Sequence, residues 1–261
     1  MSLADAVANL TLRSGELQPG HVWLVGAGPG DLGCLTLDAL SALDQADALV
    51  HDALVQPEVI AIASKAEKFF VGKRGGRLSI PQGDINGLIV RLAQEGRKVV
   101  RLKGGHPYVF ARGGEEAEAL AQHAIPYRVV AGVTSAFGGL ASAGIPVTMR
   151  GTNGAVILAT GFAADSDDRP DWTALARTGQ PIVIYMGLTH MPATVAELIA
   201  GGLSHDTPAC MIENATLPHE RTVMATLGTL HETMQREHVV SPALIVVGGI
   251  VALRDRLRSG A

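Results

Sequence analysis

The segment Val99–Glu116, VVRLKGGHPYVFARGGEE, gathers the densest set of residues able to do chemistry in this chain. Its β-branched start suits a buried strand. Breaks follow at Gly104-Gly105, at Pro107 and at Gly113-Gly114. Glu115 and Glu116 then open a helical pattern, where negative charge suits the positive end of the helix dipole. Glycines beside Arg101, Lys103 and Arg112 put bare backbone next to positive charge, which suits an anionic ligand. His106 sits among them.

Other candidates also end strands. GAGPGD at 26–31 half fits a dinucleotide fingerprint: Gly26 and Gly28 are spaced correctly, but Asp31 replaces the third glycine and Pro29 stiffens the loop. Asp52, in HDALV, follows a second short strand, where a carboxylate can accept a ribose hydroxyl or a proton, or cap the next turn. Lys73 and Arg74 lie in VGKRGG. They are either solvated cations or, given their flanking glycines, groups that approach a ligand closely. Thr134 and Ser135 suit an N-cap or a ligand contact, and Met186 in YMG suits the core or a sulfur-bearing group.

Several chemistries are excluded. The nine histidines show no HxH or HxxxH pairing, and Cys34 and Cys210 form no CxxC, so neither a metal site nor a disulfide framework is expected. A Ser-His-Asp elbow, a Walker loop and paired catalytic carboxylates are all missing. Glycine loops at strand ends, a cationic rim and isolated titratable groups suit group transfer from an already activated cosubstrate, with positioning as the main contribution.

These residues need a scaffold. Apolar residues make up 47% of the 261 and aromatics only 4%, so the core must be aliphatic, as in parallel α/β sheets. The net charge of −4 argues against nucleic acid as a partner. Residues 73–112 nevertheless hold nine basic residues and two acidic ones, a local +7 that points to a small anionic ligand. Arg91, Arg97 and Lys98 are assigned to solvating a helix and its end. With no apolar run of membrane length and no signal-peptide pattern, a cytoplasmic protein is expected, with no membrane partner.

Strand, glycine loop and helix recur. Strands are expected at 22–25, 48–51, 68–71, 98–102 and 127–130, with helices at 36–45, 57–64, 84–95, 114–123 and 135–143. Residues 1–19 read as a flexible leader and 20–148 as an N-terminal α/β domain with a mostly parallel sheet. Residues 149–261 read as a C-terminal α/β domain with a mixed sheet and a ligand cleft between the two. Its strands are expected at 155–160, 181–186, 208–213, 221–226 and 242–248, the third and fourth antiparallel. Its helices are expected at 172–178, 191–200 and 228–236.

In order along the chain, VWLVGAGPGD, HDALV, VGKRGG, RLKGGHPYVFARGGEE, AGVTSAFGGLASAGIPVT, YMGL and PALIVVG resemble the tetrapyrrole methylase family over about residues 20–258. Within it the closest likeness is to the branch that methylates uroporphyrinogen III. The resemblance implies a two-domain homodimer that uses S-adenosylmethionine, releases S-adenosylhomocysteine and needs no metal. It implies methylation of C2 and C7 of uroporphyrinogen III, giving precorrin-2 through precorrin-1. Pro29, Gly104, Gly105, His106, Val109, Thr134, Ser135, Met186 and Ala215 match the family's cofactor-binding positions. Asp52 matches its proposed proton acceptor and Lys73 its proposed donor. Arg74, Arg112 and Arg150 are chosen from charge and motif position as partners for the carboxylates of the tetrapyrrole. The chain departs from the family pattern at His106 (GGHP for GGDP), Ala111, Ala131, Met149, Ala53 and Leu78. Alternatives are a methylase acting on a later precorrin, a nicotinamide-dependent oxidoreductase and a non-catalytic tetrapyrrole-binding protein.

Overall fold

A computed structural model describes residues 15–72, 80–161 and 169–258. The chain divides into two compact units between Thr134 and Ser135. In the first, β1 (Val22–Gly26), β2 (Ala48–His51), β3 (Glu67–Phe70), β4 (Val99–Lys103) and β5 (Tyr127–Val130) form a parallel sheet in the order β3-β2-β4-β1-β5. Every residue of β1, β2 and β4 is buried, as expected for strands covered on both faces. Side chains alternate between two cores. Trp23, Val25, Val100 and Leu102 meet α1 (Leu37–Gln45) and α2 (Pro57–Ile62), while Val22, Leu24 and Val99 meet α3 (Gln82–Gln94) and α4 (Gly113–Gln122).

This alternation positions the site. β1 and β4 are neighbours, yet β1 leads to α1 on one face and β4 to α4 on the other. Open α/β sheets bind ligands at the carboxyl ends of strands at such a switch point. The loops there are Gly26–Asp31 and Gly104–Pro107.

The second unit holds a mixed sheet in the order β6-β7-β10-β8-β9, from β6 (Ile157–Thr160), β7 (Ile182–Tyr185), β8 (Pro208–Glu213), β9 (Arg221–Thr226) and β10 (Ala243–Val247). Only β6 and β7 run parallel, and β8 and β9 pair antiparallel as their short connection predicts. Along β10, Leu244 and Val246 face one core while Ile245 and Val247 face the other. No helix among the described residues is long and apolar enough to cross a membrane.

Two boundaries differ from the sequence reading. Helix α5 (Ser135–Ser142), expected in the first unit, lies in the second, where Ala136 and Leu140 pack with Val183, Cys210, Ile212 and Leu244. GIPVTMRGTNG is thus a loop inside the second unit. Leu17, expected in the leader, is instead fully buried in the first core, and its N–H donates to Gln45 Oε1 at 2.8 Å.

Candidate active site

At the switch point, glycine backbones pack against one another. Gly28 and Gly105 form an isolated antiparallel bridge, with Gly105 N donating to Gly28 O at 2.7 Å and Gly28 N to Gly105 O at 3.2 Å. A Cβ added to Gly132, just past β5, would lie 2.2 Å from Gly105 O and 2.8 Å from the Cα of Gly26. The loops after β1, β4 and β5 can meet only as bare backbone. The Gly105 N–H is committed to Gly28, so at this glycine the bare backbone offers its amide to the chain itself. Asp31, in the place of the third fingerprint glycine, accepts from Gly33 N at 2.6 Å and caps a short 3-10 turn, Leu32–Cys34. Thr36 then caps α1 and donates to Ala131 O at 3.2 Å, tying the first loop to the one after β5.

Asp52 follows β2, with its Oδ1 accepting from Leu54 N at 3.2 Å and its Oδ2 3.6 Å from the Arg101 guanidinium. Arg101 and Lys103 are not part of a cationic rim. They are 3% exposed and share the α3–α4 face of β4, where Glu116 receives both at 2.9 Å. Burial, then the neighbouring Arg101, holds the Lys103 ammonium below its ordinary value. Arg91, Arg97 and Lys98 pair with surface carboxylates. Lys73, Arg74 and Arg77 lie outside the described residues. Of the six described cations in 73–112, Arg101 and Lys103 therefore add nothing to a surface charge.

The loop after Gly105 is held from within. His106 Nδ1 accepts from Tyr108 N at 3.0 Å, His106 O accepts from Val109 N at 3.1 Å, and Pro107 O accepts from Gly113 N at 3.1 Å. A side-chain acceptor two residues before an amide is the Asx-turn arrangement that a carboxylate or carboxamide normally makes. His106 thus supplies the acceptor that an aspartate would offer. Pro107 is buried, and Tyr108 and Phe110 are exposed. Tyr108, Phe110, Ala111, Arg112, Gly113 and Gly114 line a cavity of about 210 Å³. Arg112 is exposed and bidentate to Glu115, at 2.8 and 2.7 Å, so its charge is already shared.

In the second unit, Met186 follows β7 with φ 52° and is 46% exposed, so it is not the core residue its apolar character allows. The neighbouring Tyr185 hydroxyl accepts from Ala136 N at 3.1 Å, fixing the start of α5 beside Ser135. Ala215 lies in the turn after β8, which Glu220 holds through Thr216 N (2.6 Å) and Ser142 Oγ (2.5 Å). Arg150 is exposed. Among the first unit's candidates, Pro29, Asp52, Gly104, Gly105, His106 and Thr134 follow strands β1, β2, β4 and β5, and Val109 closes the His106 turn.

The family model "Tetrapyrrole (Corrin/Porphyrin) Methylases" matches residues 21–231. The chain belongs to the tetrapyrrole methylase family. It is 47% identical to the uroporphyrinogen-III C-methyltransferase of a Sinorhizobium species over 92% of this chain and 87% of that one. It is 44% identical to the siroheme synthase of Nitrosomonas eutropha over 95% of this chain, but spans only 52% of that relative. The chain thus covers about half the length of the siroheme synthases it matches. A crystal structure of the Thermus thermophilus uroporphyrin-III C-methyl transferase complexed with S-adenyl homocysteine superposes with a TM-score of 0.77 at 38% identity, covering 89% of this chain and 99% of that one.

For this tetrapyrrole methylase, backbone strain marks the same places. Among the described non-glycine residues, Phe110, Arg112, Met186, Asn214 and Thr216 have positive φ, as do Ala124 and His238. Five of these seven lie in or beside the candidate positions. Strained backbone persists only where its surroundings hold it, and it gathers at functional sites. Sequence reasoning set Arg101 beside a ligand and did not pair it with Glu116. The signal was present: two cations two residues apart on a fully buried strand require a buried carboxylate.

Proposed function

We propose that this chain methylates uroporphyrinogen III at C2 and then C7, giving precorrin-2 by way of precorrin-1, with S-adenosylmethionine as methyl donor and S-adenosylhomocysteine as product. The observation that carries the reading is the 47% identity, across most of both chains, to a methyltransferase named for that substrate. The glycine-lined switch point supports it: only bare backbone fits there, and a flat nucleoside with a short polar tail suits such a floor. Bound S-adenosylmethionine supplies a methyl on a cationic sulfur, electrophilic without a metal.

Pro29, Gly104, Gly105, His106, Val109, Thr134, Ser135, Met186 and Ala215 are assigned to holding it, as the family's positions imply. The exposed, conformationally fixed Met186 offers a polarizable contact for the sulfonium end. Asp52 is assigned the proton lost when a pyrrole carbon gains its methyl group, and Lys73 the opposite transfer. Arg74, Arg112 and Arg150 pair with substrate carboxylates. The cavity beside Arg112, at about 210 Å³, is too small for a macrocycle and suits one acidic side group. The reading includes a cytoplasmic homodimer without nucleic-acid or membrane partners.

Anaerobic incubation of uroporphyrinogen III with deuterated S-adenosylmethionine tests the function by product mass. Two labelled methyls per macrocycle support it. No label, with S-adenosylhomocysteine still bound, points to a binding protein. Nicotinamide binding without S-adenosylmethionine binding sinks the reading.

A further inference from the structure

Asp52 stands at the half-exposed end of a chain of buried charges. At the other end Glu116, 0% exposed in the first turn of α4, accepts through Oε1 from Arg101 Nε and Lys103 Nζ, both at 2.9 Å, and from Gln82 Nε2 at 3.4 Å. Its Oε2 is buried with no partner among the described residues. Arg101 occupies each edge of its guanidinium separately. Nε goes to Glu116, NH1 donates to Leu102 O at 3.0 Å and Val50 O at 3.4 Å, and NH2 lies 3.6 Å from Asp52 Oδ2. Asp52 Oδ1 is turned to Leu54 N, so its two oxygens are oriented by different groups.

Stability does not account for this cluster. Buried ion pairs are costly to desolvate, and apolar residues of similar volume often serve as well or better. A planar guanidinium, however, can grip one carboxylate along one edge while presenting another edge to a second, which an ammonium cannot do. We propose that Arg101, anchored by Glu116, is a positioning residue for Asp52, fixing which carboxylate oxygen faces the proton that the macrocycle loses on methylation. Gln82 and Lys103 complete the anchor by saturating Glu116 Oε1. The inference rests on the proton-acceptor role proposed for Asp52.

A double-mutant cycle in the full-length chain tests it. Asp52→Asn should lower kcat by about a hundredfold or more. Glu116→Gln in the parent should lower kcat by about tenfold while S-adenosylhomocysteine affinity stays within about twofold, because only the geometry of the base is disturbed. In the Asp52→Asn background, Glu116→Gln should have no further effect on kcat. Equal losses in both backgrounds would reduce Glu116 to a structural role and overturn the proposal. Arg101→Lys retains a buried cation for Glu116 but cannot span both carboxylates. It should show the same background-dependent loss, and it decides the matter alone if Glu116→Gln does not fold. An undiminished kcat in Asp52→Asn is a different failure: it removes the proposed role of Asp52 itself.

Discussion

Gly132→Ala perturbs the glycine floor with a cost that can be worked from the coordinates. The new Cβ would meet Gly105 O at 2.2 Å and the Cα and carbonyl carbon of Gly26 at 2.8 Å, whereas ordinary contacts lie at 3.4–4 Å. All three neighbours are backbone, so no rotamer change relieves the overlap, and the loop after β5 must move by about an ångström. Overpacked cores lose about 1–3 kcal/mol, and rigid backbone neighbours put this case near 3 kcal/mol. Gly104→Ala is the internal control. Its Cβ would meet Leu54 Cβ at 3.1 Å, with Leu54 O and C at 3.8 and 3.9 Å, so the exposed Leu54 turn needs to yield by only a few tenths of an ångström. The expected cost is below about 1 kcal/mol. Trp23 lies in the first unit and Trp172 in the second, and they are the only tryptophans. In a Trp172→Phe background, fluorescence during urea unfolding therefore reads the first unit alone. Calorimetric titration with S-adenosylhomocysteine on the same proteins should show affinity falling in both variants, with stability falling only in Gly132→Ala. A Gly132→Ala protein within about 1 kcal/mol of its parent would refute the packing argument. So would a Gly104→Ala protein destabilised equally.

The remaining predictions concern single side chains. His106→Ala removes the acceptor of the Tyr108 amide, worth about 1 kcal/mol, and should speed hydrogen exchange there, whereas His106→Asp should preserve protection. Equal exchange in the two variants would remove the acceptor role. Lys103 is held below its ordinary value, so the unfolded chain binds this proton more tightly and charging it costs the native state. Its contribution to stability therefore rises with pH, beginning near the folded-state value and levelling off at the unfolded one. Urea midpoints through that alkaline range should rise less in Lys103→Met than in the parent, and parallel curves would contradict the assignment. Arg150→Ala should raise KM for the tetrapyrrole by about fivefold with kcat little changed. An unchanged KM would remove Arg150 from the substrate site.

Much of the fold was legible because the signals were local. VWLVG, ALVH and VVRLK are short runs bounded by glycine, proline or aspartate, and each became a strand buried on both faces. The helix beginning near Thr36 and the antiparallel pairing of β8 with β9 were readable for the same reason. What failed depends on tertiary pairing. Helix α5 has the same sequence whichever core it packs against, so the division before Ser135 leaves no mark in SAFGGLAS. Counting charge along 73–112 treated Arg101 and Lys103 as surface groups, yet their strand lies between β1 and β2 and has no exposed face. The glycines of the segment read as bare backbone beside positive charge, yet the Gly105 amide is taken by Gly28, 77 positions away in sequence. His106 looked like a lost carboxylate, but its ring nitrogen keeps the hydrogen bond that the turn requires.

The most direct measurement of the central claim is the position of the transferred methyl groups. Uroporphyrinogen III is incubated anaerobically with the protein and S-adenosylmethionine carrying a carbon-13 methyl, and the product is read by carbon NMR. Two labelled methyls, at C2 and C7, are predicted, with the singly labelled macrocycle appearing first. Label at any other ring carbon, or an unlabelled macrocycle, would contradict the account.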